Sequence, residues 1–302
     1  MRIDKIIIWG IGWGYQKICN ALRWNEEIGN FEVIACVSKD DGQHDFDGRR
    51  VIKPEEMQDI SFDYIIVSAE KYYQEIVTYG VETLKIDRNR FLHGKVFEIP
   101  CFDWKWYLTI YKSNISVISE LCYGGMLCNH LGLPFNSPFV NVRVGDKSGY
   151  QKLISRLDYY MSASPHTGNE LHKSDIITEG CVAYPILWYD DIMLHGFHYS
   201  DMETFWAKWE QRRKRYNPES AFVFKLLYGE DDLKDFDRLD IKHKIGFYFE
   251  DTGREQVITI PFDRKKYTYC FANCVNEFVS SADIFQRIDV FRLLSGEKEF
   301  KR

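Results

Sequence analysis

No run of apolar residues in this chain approaches membrane-spanning length, which excludes a helical membrane span. The first residues offer only Ile6 to Trp9 as an apolar stretch after the charges, too short for the core of a signal peptide, so a cytoplasmic location is expected. Basic residues are not in excess. Lys and Arg number 39 against 45 Asp and Glu, a net charge of −6, which argues against a general nucleic-acid binder. Internal repeats, low-complexity tracts and long linkers are missing. The eight cysteines include no C-x-x-C pair and no regular disulfide framework, a scatter that fits reduced thiols. Metal-ligand spacing is also lacking: His195 and His198 lie three apart on an expected strand and so point to opposite faces. No metal site is assigned.

What is there begins with a strand that runs into a glycine turn, Lys5 to Trp9 followed by Gly10-Ile11-Gly12-Trp13-Gly14. Glycines at such a turn let the backbone bend sharply and approach a phosphate, while the following helix points its positive dipole end at the same place. Ile18, Ala21 and Leu22 fall at helical spacing; Phe31 to Val37 and Asp63 to Ala69 read as two further buried strands, with Pro54 opening a short helix between them. Strand, helix, strand, helix, strand predicts an α/β, Rossmann-like parallel sheet over residues 1–99. Gly10, Gly12 and Gly14 are candidate contacts to a nucleotide or sugar nucleotide. A dinucleotide fingerprint places its third glycine one residue later, where this chain has Tyr15. Ser38 and Lys39 end the second strand in place of the ribose-binding acid, with Asp40 just beyond as the nearest candidate.

With 302 residues the chain can bury two cores, and a proline with an aromatic cluster interrupts the pattern near residue 99. Residues 100–302 are therefore assigned to a second α/β domain with a mixed sheet. Its expected strands lie near residues 115–119, 139–144, 183–189, 192–199, 221–227, 245–250 and 256–262, with helices over 147–161, 201–216 and 270–278. Ser200-Asp201-Met202-Glu203 reads as a capping box with Ser200 at the N-cap. The helix it opens ends in Arg212-Arg213-Lys214-Arg215. Those cations complement the helix dipole, and Arg212 and Arg215, one turn apart, could also grip a phosphate or acidic sugar.

The chemistry-bearing text of the second domain is Ser119-Glu120-Leu121-Cys122-Tyr123-Gly124-Gly125. A strand ending here and a helix starting after it would set Cys122 at a helix N-terminus, making it a candidate nucleophile as well as a plausible small core residue. Farther on, apolar runs flank Asp190-Asp191, which predicts a hairpin bending at the two acids. Strand alternation puts Asp191 and His195 on one side and His198 on the other, so either histidine, but not both, is expected to face a shared pocket as a base. Asp191 is a further catalytic candidate, and Asn136 and Ser137, in Leu131-Gly132-Leu133-Pro134-Phe135-Asn136-Ser137-Pro138, are candidate substrate contacts.

From about residue 113 onward these motifs resemble an uncharacterised bacterial exopolysaccharide-biosynthesis family: the Cys122 to Gly125 turn, the Leu131 to Pro138 segment, the Asp190 to Tyr199 strand, and Trp209, Arg212 and Asn217. The resemblance implies a surface-glycan or capsule context and carries no settled activity. The first hundred residues are similar to the domain that precedes several glycan-modifying transferases, whose turn reads Trp-Gly-x-Gly-x-x-Gly. The combined expectation is a cytoplasmic transferase, glycosyl or acyl, whose partners are a small nucleotide or a glycan. A homo-oligomer is compatible with the sequence. The alternatives are a non-catalytic nucleotide- or sugar-binding module and an NAD-dependent oxidoreductase, the latter lacking a Tyr-x-x-x-Lys signature in the second domain.

Overall fold

The computed structural model describes residues 2–39, 42, 44–167, 172–173, 183–262 and 271–301. The chain divides into two compact units, one of residues 1–109 with 130–132, the other of residues 110–129 with 133–302.

In the first unit β1 (Asp4–Trp9) leads into α1 (Trp13–Glu27), followed by β2 (Phe31–Val37), β3 (Asp45–Phe46), β4 (Arg49–Ile52), β5 (Tyr64–Val67), α2 (Tyr73–Glu82) and β6 (Phe91–His93). The sheet order is β3-β4-β2-β1-β5-β6, parallel throughout except for the β3–β4 pair, so the expected Rossmann-like parallel sheet is present. A central parallel strand is buried on both faces, which is why β1 can be a continuous apolar run. Ile6, Ile7 and Ile8 are fully buried, each stabilising the fold by roughly 1.5–3 kcal/mol. Helix α1 covers the sheet with Tyr15, Ile18, Leu22 and Asn25, spaced three or four apart. The chain leaves β1 toward β2 and later returns to β5 on the other side. A crevice therefore opens at the carboxyl ends of β1 and β5.

Helix α3 (Trp104–Lys112) crosses from the first unit's residues into the second's. The second unit continues with β7 (Ser116–Ser119), α4 (Tyr123–His130), β8 (Arg143–Val144), α5 (Lys147–Ser155), α6 (Leu157–Ser162), β9 (His166–Thr167), β10 (His172–Lys173), β11 (Ala183–Tyr184), β12 (Ile186–Tyr189), β13 (Ile192–His195), α7 (Met202–Arg213), β14 (Ala221–Leu226), α8 (Glu230–Arg238), β15 (Lys244–Tyr248), β16 (Val257–Thr259) and α9 (Phe271–Ser280), with α10 (Ile284–Arg287) and α11 (Val290–Leu294) at the end. Parallel and antiparallel pairing occupy separate sheets: β16-β15-β14-β7 is parallel, β8-β13-β12-β9 antiparallel, and β10-β11 a two-stranded antiparallel pair. Both four-stranded sheets feed one core, in which Ile118, Val223 and Leu227 meet Leu187, Leu194, Tyr150, Phe205 and Trp209.

Several expected elements differ locally. The strand expected over 139–144 shrinks to β8, because Asn141 takes a left-handed φ of 61° and Val142 N–H turns back to the Phe139 carbonyl at 3.2 Å. The helix expected over 147–161 breaks at Arg156 (φ −135°, ψ 38°) into α5 and α6. Asp201, not Ser200, caps α7: its carboxylate accepts the Thr204 N–H at 2.7 Å. The hairpin at Asp190-Asp191 is as read, a two-residue turn closed by the Tyr189–Ile192 pair, with Asp190 at φ 50°. Six cysteines are free thiols, while Cys181 and Cys270 lie outside the described residues. Among the described residues no helix is long and apolar enough to cross a membrane.

Candidate functional site

The first unit holds a cavity of about 430 Å³ at the carboxyl ends of β1 and β5, within the size range of small-molecule sites. Its glycines have three different jobs. Gly10 bends the chain at φ +108°, and a Cβ there would meet Ser68 Oγ at 2.9 Å and the Ala69 Cβ at 3.0 Å. Gly12 has open space where its Cβ would be, so a ligand can come against the backbone. Gly14 packs so tightly on the Ser68 carbonyl oxygen that any Cβ would overlap it. These are the turn, approach and packing roles of a phosphate-binding glycine loop, with the packing glycine one position earlier than in the usual fingerprint.

That early position explains Tyr15. Its ring is buried and aimed inward, where the hydroxyl bonds the Asp47 carboxylate and accepts from Arg49 at 3.2 Å. Burial, reinforced by the hydrogen bond to Asp47, pushes the phenol well above its ordinary range. Arg23 reaches the same carboxylate at 2.5 Å, and Arg49 pairs with Glu26. The Tyr15 and Arg23 hydrogen bonds lead in holding Asp47 down at about 2. Tyr15 thus braces α1 against the β3–β4 hairpin instead of occupying the cavity.

Ser68 fastens the cavity floor: its Oγ donates to the Gly10 carbonyl at 2.6 Å and its N–H to the Trp9 carbonyl at 3.1 Å. No side chain caps α1 and its first turn carries no acid, which leaves the positive helix end for an external anion. Lys17, Lys71 and Lys95 line the space together with Glu70 and Glu98; Lys17 pairs with Glu98 at 3.8 Å. Burial pulls the Lys95 pKa down. At the rim Trp13 and Tyr72 stand 74% and 51% exposed, flat faces that a base or sugar ring can stack on. Asp40, the expected ribose acid, lies outside the described residues.

In the second unit Cys122 occupies the N-cap position of α4, its carbonyl accepting the Met126 N–H at 3.0 Å. Its Sγ lies 3.3 Å from His198 Nε2. The expected alternation does not decide which histidine faces the thiol, because β13 ends at His195 and the chain turns at Gly196, with the Tyr199 N–H returning to the Gly196 carbonyl at 2.9 Å. His198 projects from that turn. Tyr199 anchors it by donating to the Val140 carbonyl at 3.0 Å and accepting from the buried Arg212 at 2.7 Å; Arg212 also donates to Val140 O at 2.9 Å. Burial raises the Cys122 thiol pKa, opposed by a backbone hydrogen bond, so the thiol needs a base to ionise at neutral pH.

The other expected site residues are placed elsewhere. His195 sits 3.2 Å from the Tyr184 hydroxyl through Nδ1 and stacks on Phe197 at 5.4 Å. Asp191 is exposed and paired with Lys152, whose hydrogen bond lowers its pKa. Arg212 and Arg215 do share a direction, but toward the chain itself: Arg215 donates to the Phe135 carbonyl at 2.7 Å. Asn136 and Ser137 are buried, the first bonded through its carbonyl to Ser116 at 2.9 Å and the second accepting the Phe139 N–H at 3.2 Å. Those four groups are spent on folding the 135–140 turn.

Ser68, Trp13, Tyr72 and the Tyr199–Arg212 pair were not singled out by sequence as parts of these sites, although Ser68 follows the last residue of a parallel strand, where such folds place ligand contacts. A buried polar cluster was missed as well. Glu120, directly after β7, accepts the Leu226 N–H at 2.5 Å, and burial pushes its carboxyl up to about 7. Lys225, on β14, is buried with Nζ unpartnered, and burial pulls its pKa down.

Residues 2–92 match the family described as C2185-like, N-terminal. An uncharacterized protein of Haemophilus influenzae (strain ATCC 51907 / DSM 11121 / KW20 / Rd) is 29% identical over 139 residues, covering 45% of this chain and 62% of the relative, so the chain spans less than two thirds of that relative's length. The model of the family described as domain of unknown function (DUF1919) matches residues 93–290, about two thirds of the chain, which therefore belongs to that family.

Proposed function

We propose that the chain is a transferase of bacterial surface-polysaccharide assembly that binds a sugar nucleotide at its glycine turn. The observation that carries this reading is the division of labour among Gly10, Gly12 and Gly14 around a cavity at the crevice between β1 and β5. A pyrophosphate set on the uncapped end of α1 would replace the missing cap and receive Lys17 or Lys71. Trp13 and Tyr72 offer stacking faces for the base or the sugar. A nicotinamide dinucleotide is less well served, since Ser38 and Lys39 follow β2 where a ribose acid is wanted. The glycan context rests on the motif resemblance of the second unit, from Cys122 to Asn217.

A thermal-shift screen of the full chain with UDP, UDP-glucose, NAD and acetyl-coenzyme A tests the reading. A rise in melting temperature with UDP and UDP-glucose, and none with NAD, is expected. A response to NAD alone would favour the oxidoreductase, and binding of UDP-glucose without turnover on any glycan acceptor would favour a binding module.

A further inference from the structure

The thiol and imidazole of the second unit point to a specific group chemistry. Cys122 Sγ and His198 Nε2 are 3.3 Å apart, within reach of direct proton transfer. Cys122 heads α4, so an oxyanion forming beside the sulfur would meet first-turn N–H groups and the positive helix end. The turn that carries His198 is fixed by Tyr199 and Arg212 to Val140, on the segment that also contacts α4 at Gly125, where a Cβ would lie 3.0 Å from Val140 Cγ1. Glycosyl transfer by paired carboxylates has no support here, because the Glu120 carboxyl is held on the Leu226 N–H and Asp191 on Lys152.

We propose that Cys122 and His198 form an acyl-transfer centre that takes an activated acyl group, an ester or thioester, and passes it to a hydroxyl acceptor. His198 Nε2 accepts the thiol proton as Sγ attacks the acyl carbonyl carbon. The carbon–sulfur bond forms, the bond to the leaving alcohol or thiol breaks, and the leaving group takes the proton from His198. In the second half the acceptor hydroxyl gives its proton to His198 and attacks the thioester carbon, and Cys122 leaves and is reprotonated. Tyr199 and Arg212 are positioning residues. This deepens the transferase reading but stands on the second unit alone, so it does not depend on what the glycine turn binds.

The test treats the full chain with p-nitrophenyl acetate at neutral pH and maps acetylated cysteines by mass spectrometry. The exposed Cys101 serves as an internal reference. Acetylation of Cys122 faster than that of Cys101, slowed about a hundredfold in His198→Gln with Cys101 unchanged, is the expected result. Equal rates at Cys122 and Cys101 in the wild-type chain overturn the proposal, as does an unchanged Cys122 rate in a folded His198→Gln protein. Should that variant lose its cooperative melt, the wild-type comparison alone decides. UDP-glucose binding with no Cys122 acylation would sink the acyl centre and leave the nucleotide site standing; the reverse result would do the opposite.

Discussion

Gly14 lies against the carbonyl oxygen of Ser68 with no room for a side chain, although it occupies the first turn of a helix that would otherwise welcome alanine. In an open helix Gly→Ala gains roughly 0.5–1 kcal/mol. Here the sign should reverse: Gly14→Ala forces α1 off the β5 loop and should cost about 1–3 kcal/mol, the range for overpacking. Gly12→Ala meets nothing within 4 Å and should leave stability within about 1 kcal/mol of wild type while weakening nucleotide binding. Chemical denaturation of both variants separates the packing glycine from the approach glycine.

Tyr15→Phe removes the hydroxyl from Asp47 and Arg49 without changing the ring packed on Phe46 at 4.9 Å. A loss of about 1 kcal/mol in urea unfolding is expected, since the partners are half-buried and partly re-solvate. Nucleotide affinity should not change, because Tyr15 is no part of the cavity wall.

Glu120 gives the second unit a pH dependence of definite sign. Its folded-state pKa, about 7, stands above the ordinary 4.5 because burial disfavours the charged form. The folded chain therefore holds the proton more tightly, and stability falls as pH rises from about 4.5 to about 7, by about 3 kcal/mol at most. Glu120→Gln keeps the acceptor for the Leu226 N–H and should flatten that slope; an unchanged pH profile of urea midpoints would rule the group out.

Lys225→Met should stabilise the second unit. An ammonium with no hydrogen-bond partner in the core costs desolvation that a thioether of similar length avoids. A higher denaturation midpoint is expected, by about 1–3 kcal/mol in stability. A lower one would mean that the charge balance of Lys225 with Glu120 and Asp232 outweighs the burial cost.

Much of the fold could be read from periodicity and punctuation. The run of Ile6, Ile7 and Ile8 before Gly10 marked a central parallel strand, and Asp190-Asp191 between apolar runs marked the hairpin, because both signals are local. The break at Arg156 and the loss of strand before Arg143 were hidden, since they arise from how the 135–142 turn packs against Arg212 and Tyr199 far along the chain. At the candidate sites, residue types were legible and pairings were not. Strand alternation could not say that the chain would bend at Gly196 and bring His198, rather than His195, to Cys122. Nor could a glycine fingerprint show that Gly14 does the packing usually done one residue later, which frees Tyr15 for Asp47.

Titration calorimetry of the full chain with UDP-glucose, in wild type and in Gly12→Val, bears most directly on the glycine-turn cavity. Saturable one-to-one binding by wild type, with the affinity lost in a Gly12→Val protein that melts normally, is the predicted result. No heat of binding to wild type, or equal affinity in both proteins, would contradict it.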